Sequence, residues 1–428
     1  MLRFFQEKTM AQNHLDWFRN AKLGLFIHFG LYSLLGGCWQ GKLTPGLAEW
    51  IQNDLNIPAE EYARLAARFD PHRFDAREIA ALARDWGMRY LCLTAKHHDG
   101  FALFDSKASD FTSPKSSPCK RDLVAEMAQA CREIGLVFCV YYSQAQDWHH
   151  PGGYRAYHQN DPLSFEGYFE TICLPQVREL LTQYGPIGIL WFDTPMDMTP
   201  KQCRHLADTV RALQPNCLIN GRVGSGLGDY LTTADNRIPR RRLNSAWEVP
   251  VTLNHSWGYK SSDQNWVSPQ SLLEKLLKVV SRGGNMLANI GPMGDGSLPD
   301  ESRRILEQVG DFLKENSQAI YGAEAAQEYV FEFEGMVFTQ KNGKLFIHLM
   351  DPQKWAGQRL SLYNMGSLAK SARLLASREE LPLSVGKDLE GYGHWAIQLP
   401  ASLSESRGLA LVIEVDLDTP VFEVQNLE

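Results

Sequence analysis

The chain has 428 residues, 44% of them hydrophobic, and a formal net charge of -7. That length holds one large α/β unit of about 250–330 residues and a smaller one, and the acidic balance argues against nucleic acid or an anionic membrane as partner. The one basic run, Arg240 to Arg242, is too short for an electrostatic footprint and reads as a solvated loop.

The opening stretch MLRFFQEKTMAQNHLDW lacks the apolar core of about 7–15 residues of a secretory signal. No apolar run reaches membrane-spanning length. The eight cysteines form no CxxC pair, and several sit in apolar runs such as VFCVYY, as buried free thiols do. A cytoplasmic, reduced protein is expected. Candidate strands follow in order: LGLFIHF (23–29), RYLCLT (89–94), LVFCVYY (136–142), IGILWF (187–192), CLIN (217–220) and NMLANI (285–290). Between them, helical spacing marks 75–87, 121–135, 165–185 and 269–283, with Gly87, Gly135 and Gly185 placed as stops. The alternation predicts a (β/α)8-like barrel with some irregular members. A doubly wound sheet is the runner-up, but no GxGxxG follows a strand. From about residue 330 the pattern alternates and turns at Lys341-Asn342-Gly343, and RLSLYNM, ARLLAS, GHWAIQLP and LALVIEVDL follow. This predicts an antiparallel β-sandwich. The expected domains are 1–327 and 328–428.

Barrel enzymes carry their reactive groups at the C-terminal ends of the strands. Here those ends deliver His28, then His97 and His98, then Tyr141 and Tyr142 with Asp147 and Trp148 beyond, then Asp193, then Arg222. Singly, each has a bland reading: a histidine satisfied in the core, an aspartate capping a helix, an arginine in a structural ion pair. Trp39, Trp50, Trp191, Trp257 and Trp266 can equally be core. Their coincidence on one rim points to a site. His28, His97, His98 and Asp193 could ligate a metal, so a metal-dependent hydrolase competes. A sugar-binding protein without turnover is a third reading. Tryptophan and tyrosine beside His, Asp and Arg fit a sugar better, with its apolar C–H faces and its hydroxyls. Glycoside hydrolysis needs two carboxyl groups. Asp193 ends a fully apolar strand and is the candidate nucleophile; Asp235 and Glu248 are candidates for its partner.

These residues lie in WFRNAKLGLFIHFGLYS, GLAEW, FDAREIAALARDWGMRYLCLTAKHHDGFALFDS, YYSQAQDW, GPIGILWFD, NGR, WEVPVTLNHSWGY and RGGNMLANIGPMGDG. In these stretches, covering about residues 15–325, the chain resembles glycoside hydrolase family 29, the α-L-fucosidases. The resemblance implies an exo-acting, retaining enzyme with no cofactor or metal, acting on fucosylated oligosaccharides or glycans. Asp193 would be its nucleophile. His28, His97 and His98 would hydrogen-bond the fucose hydroxyls, and Trp50, Tyr142, Trp191 and Arg222 would complete the subsite. Trp257 or Trp266 would meet the C5 methyl. For the acid/base, Glu248 is preferred because a glutamate reaches further from a loop; Asp235 is the alternative. The family often has glycine after the nucleophile, where Thr194 stands here, with little consequence expected. The missing signal suggests a bacterial enzyme acting on imported oligosaccharides. Linkage preference has no readable code, and a related α-L-glycoside stays open as substrate.

Overall fold

Short apolar runs bounded by glycine or polar residues form eight strands. They are β1 (Leu23–Ile27), β2 (Tyr90–Lys96), β3 (Val137–Ser143), β4 (Ile189–Asp193), β5 (Leu218–Ile219), β6 (Leu231–Thr232), β7 (Trp247–Val251) and β8 (Asn285–Ile290). The computed structural model describes residues 14–156, 158–326, 335–365, 369–387 and 393–418. All eight strands pair in parallel, in the order β5-β4-β3-β2-β1-β8-β7-β6. One parallel bridge, Asn220 to Tyr230, joins the two edges and closes the barrel. The (β/α)8-like fold is as expected.

The helices around it are α1 (Ala76–Asp85), α2 (Leu123–Ile134), α3 (Leu174–Gln183), α4 (Pro200–Leu213), α5 (Pro269–Ser281) and α6 (Asp300–Asn316). Asp75, Asp122, Thr199 and Ser268 cap four of them by accepting backbone N–H groups of the first turn. Gly87, Gly135 and Gly185 all take positive φ, as the expected stops require. The irregular members lie together. Only the short 3-10 turn Gly221–Val223 separates β5 from β6, and no helix separates β6 from β7.

Side chains alternate across each strand. The inward set includes Phe26, Tyr90, Cys139, Trp191, Leu218 and Leu287, which fill the barrel. Gly24 also faces inward; a Cβ there would stand 2.4 Å from the Tyr90 ring. The outward set, such as Leu25, Leu91 and Val140, packs against the helices. All eight cysteines are free, six of them buried.

Downstream, β9 (Met336–Lys341), β10 (Lys344–Met350), β11 (Arg359–Met365), β12 (Ala369–Leu374), β13 (Leu383–Lys387), β14 (Gly393–Gln398) and β15 (Ala410–Leu417) are antiparallel. One sheet contains β9-β10-β15-β12 and the other is β11-β14-β13. The two share a core through Phe338, Ile347, Ile413, Leu362, Trp395 and Ile397, which makes the expected sandwich. The turn lies where predicted: Asn342 and Gly343 both have positive φ between paired Lys341 and Lys344. The opposite face of the larger sheet, with Val337, Phe346 and Val412, joins the core under the barrel helices. The 327/328 division falls within 327–334, outside the described residues.

Candidate active site

The C-terminal ends of the strands surround a cavity with about 480 Å³ of empty space, lined by His28, Glu49, Trp50, His97, His98, Tyr141, Trp191, Asp193, Arg222, Asp235 and Trp257, among others.

Asp193 is the last residue of β4 and is buried. Its Oδ2 accepts from the Tyr141 hydroxyl at 3.0 Å, and its Oδ1 accepts from Arg222 Nη1 at 2.9 Å and from the Thr194 N–H at 3.0 Å. Burial alone would raise its pKa. The charge of Arg222 and the hydrogen bonds from Arg222 and Tyr141 outweigh burial and hold the carboxyl below its ordinary value, so it is ionised at neutral pH. Thr194 has φ 46°, a left-handed conformation uncommon for a β-branched residue. The carboxylate holds its N–H, and Gln146 Nε2 holds its hydroxyl at 3.1 Å. Glycine after such an aspartate therefore has a conformational reason.

Arg222 joins two carboxylates. Its Nη1 donates to Asp193, and its Nη2 donates to Asp235 and, at 3.2 Å, to the Thr233 carbonyl. The guanidinium lies 4.9 Å from the Trp191 ring. Asp235 stands on the loop after β6 with its side chain 42% exposed, so it is open to both the cavity and solvent.

Hydrogen bonding fixes two imidazole tautomers. Asn289 Nδ2 donates to the Trp257 carbonyl at 2.7 Å, so Asn289 Oδ1 accepts from His28 Nδ1 at 2.6 Å. Ser143 Oγ donates to the Gln146 carbonyl at 2.8 Å and so accepts from His98 Nδ1 at 2.7 Å. Each ring keeps Nε2 as an acceptor, and His98 Nε2 lies 3.8 Å from Asp193 Oδ2. Burial pushes His28 down to about 3 and His98 to about 4, and holds His97 well below the usual range. All three are neutral. Among the described residues no group of three or more His, Cys, Asp or Glu is arranged to hold a metal ion. The metal-dependent reading has no support.

Three expected site residues lie elsewhere. Tyr142 points out of the barrel, where its hydroxyl donates to Gln176 Oε1 at 2.8 Å; its neighbour Tyr141 takes the cavity position. Trp266 lines a separate, smaller space beyond Trp257. Glu248 is not on a loop. It is the second residue of β7, fully buried, and accepts from Trp191 Nε1 at 3.3 Å beneath the cavity. Its reach from a loop therefore no longer favours it, and of the two expected candidates Asp235 is the one that lines the cavity with Asp193.

Glu49 was missed. Its Oε2 accepts from the Gly258 N–H at 2.8 Å and from Ser256 Oγ at 3.3 Å, while Oε1 has no partner. Burial raises it to about 7 despite these bonds. Its only sequence signal is its place beside Trp50 in GLAEW.

A family model described as Alpha-L-fucosidase matches residues 5–318. The plasma alpha-L-fucosidase of Rattus norvegicus is 32% identical over 326 residues, 71% of this chain and 70% of the relative. The first curated relatives are matched over 66% to 71% of their length. The alpha-L-fucosidase from Vibrio sp. strain EJY3 superposes with a TM-score of 0.87 at 32% identity, covering 95% of this chain and 73% of that one. A trapped covalent intermediate of an alpha-L-fucosidase from Bacteroides thetaiotaomicron, in complex with 2-fluoro-fucosyl fluoride, superposes at 0.84 with 27% identity, covering 95% and 96%. The matched proteins include animal plasma and tissue forms, which lends no support to the expected bacterial source or cytoplasmic location. Among the described residues no helix is long and apolar enough to cross a membrane.

Proposed function

The chain belongs to the alpha-L-fucosidase family of glycoside hydrolases, and on that premise we propose that it removes terminal α-L-fucose from oligosaccharides or glycans, as an exo-acting enzyme, with retention of configuration. In this reading Asp193 attacks the anomeric carbon as the bond to the leaving oxygen breaks. Asp235 gives that oxygen its proton. Asp235 then takes a proton from water, which attacks the same carbon and releases Asp193. Residues 1–327 would form the catalytic unit and 328–428 the sandwich.

The observation that carries the reading is one guanidinium joining two carboxylates in a cavity lined by aromatic rings and neutral histidines. Such a bridge is compatible with the carboxyl separation of about 5–5.5 Å used by retaining glycosidases. The relative trapped with 2-fluoro-fucosyl fluoride as a covalent intermediate supports the two-step course. Asp235, exposed on its loop, can leave Arg222 Nη2, which keeps the Thr233 carbonyl as an acceptor. The acceptor nitrogens of His28 and His98 suit sugar hydroxyls, as does the free oxygen of Glu49. Trp257, rather than Trp266, is available to the C5 methyl.

Azide rescue tests the assignment. Asp235→Ala should recover turnover of an activated aryl fucoside when azide is added, give fucosyl azide of retained configuration, and lose the basic limb of its pH profile. Rescue of Glu248→Ala or Glu49→Ala in its place would move the proton donor to that residue.

A further inference from the structure

Glu248 has no role in the reaction as just described, yet it lies in the barrel interior with no exposed surface. Burying a carboxyl there is costly unless its oxygens are engaged. Only one oxygen is. Oε1 accepts from Trp191 Nε1 at 3.3 Å; the hydroxyls of Tyr90 and Tyr230 stand near enough to favour the charged carboxyl, with the thiols of Cys92 and Cys139 beside them, but none makes a hydrogen bond of ordinary length to Oε2. A leucine would fill this space without that cost. What a leucine cannot do is accept from the indole N–H.

Trp191 in turn touches both side chains that hold Asp193. Tyr141 stacks on it at 5.6 Å between ring centroids and 21° between planes, and Arg222 lies over its ring at 4.9 Å. Among the described residues, Tyr141 and Arg222 are the two side chains that donate hydrogen bonds to the Asp193 carboxylate. We infer that Glu248 is a positioning residue, which fixes the rotation of Trp191 through one hydrogen bond and thereby sets Tyr141 and Arg222 around the Asp193 carboxylate. This rests on the reading of Asp193 as nucleophile. Burial raises Glu248 to about 8, against the hydroxyls, the indole N–H and Arg222 that oppose it, so it acts uncharged, by geometry.

The test compares Glu248→Gln, which keeps an acceptor of equal reach, with Glu248→Leu, which keeps volume alone. Both are followed on an aryl α-L-fucoside across pH. The glutamine variant should stay close to the parent. The leucine variant should lose kcat on the order of 10–100-fold, with KM changed less. The acid limb of its kcat profile should move to higher pH, because Arg222 and Tyr141 hold Asp193 ionised, beside His28 and His98, which are uncharged. Trp191→Phe should move the limb in the same direction, and Glu248→Leu should add little in that background. An unmoved limb in both variants, a glutamine variant as damaged as leucine, or azide rescue of Glu248→Ala would each overturn the inference. Should the leucine variant not fold, Trp191→Phe and Glu248→Gln decide it. Labelling with 2-fluoro-fucosyl fluoride separates the two levels. Label on Asp193 with unmoved limbs overturns only the positioning role, whereas label on another residue overturns the nucleophile reading beneath it.

Discussion

Tyr141 and Tyr142 are adjacent and both buried, but only Tyr141 meets Asp193. The difference is register. Tyr141 pairs with Trp191 and Tyr142 with Phe192, and residues paired in a parallel sheet share a face. The spacing of Trp191 and Asp193 puts both on one face from sequence alone. Which of two tyrosines joins them depends on how β3 pairs with β4, and no local signal carries that. Tyr141→Phe should therefore lower kcat and move the acid limb upward, since the hydroxyl helps hold Asp193 ionised. Tyr142→Phe should leave the pH profile unchanged and cost about 0.5–1.5 kcal/mol of stability for its bond to Gln176. Urea titration and a pH–rate profile of both variants check the contrast. His28→Ala and His98→Ala should each weaken fucose binding by about 1–3 kcal/mol, measurable by calorimetry, because each leaves a sugar hydroxyl without its acceptor.

At the scale of elements, the strands with unbroken apolar runs were legible, and so were the capped helices α1, α2 and α5. The short strands β6 and β7 were not. β7 reads WEVPV, and a proline argues against a strand within a sheet because it has no N–H to donate. Yet Pro250 pairs with Leu287, and its carbonyl accepts from the Asn236 N–H at 2.9 Å. Missing β7 put Glu248 on an imagined loop and made it the favoured proton donor. The interior of the barrel also constrains β1. Gly24→Ala would drive a methyl into the Tyr90 ring. It should cost about 1–3 kcal/mol in chemical denaturation, while leaving KM for an aryl fucoside unchanged, because the clash lies below the cavity.

Across the whole molecule, the barrel and sandwich were readable because each imposes its own period on the chain; how the pieces close on each other was not. The larger sheet of the sandwich is buried on both faces, and His348 lies on the barrel side, where Thr339 Oγ1, at 2.9 Å from its Nε2, also donates to the Ala319 carbonyl. Burial lowers His28, His98 and His348 to about 3, 4 and 3. The unfolded chain therefore binds more protons than the folded one below pH about 6.5, and stability falls as the medium is acidified. Burial raises Glu49 and Asp99 to about 7 and Glu248 to about 8, so these groups stay protonated in the fold when the unfolded chain has lost its protons. Their contribution is full below about pH 4 and is lost progressively as pH rises from there through 7 to 8. Between about pH 4.5 and 6.5 the two sets oppose each other, so stability should change little there and fall above about pH 6.5. Glu248→Gln should flatten the fall on the alkaline side, and thermal unfolding across pH checks both. The covalent role of Asp193 is tested most directly by peptide mass spectrometry after inactivation with 2-fluoro-fucosyl fluoride. A single adduct on Asp193, in the peptide containing Trp191 and Thr194, is the expected result; an adduct on any other residue, or inactivation with none, would contradict it.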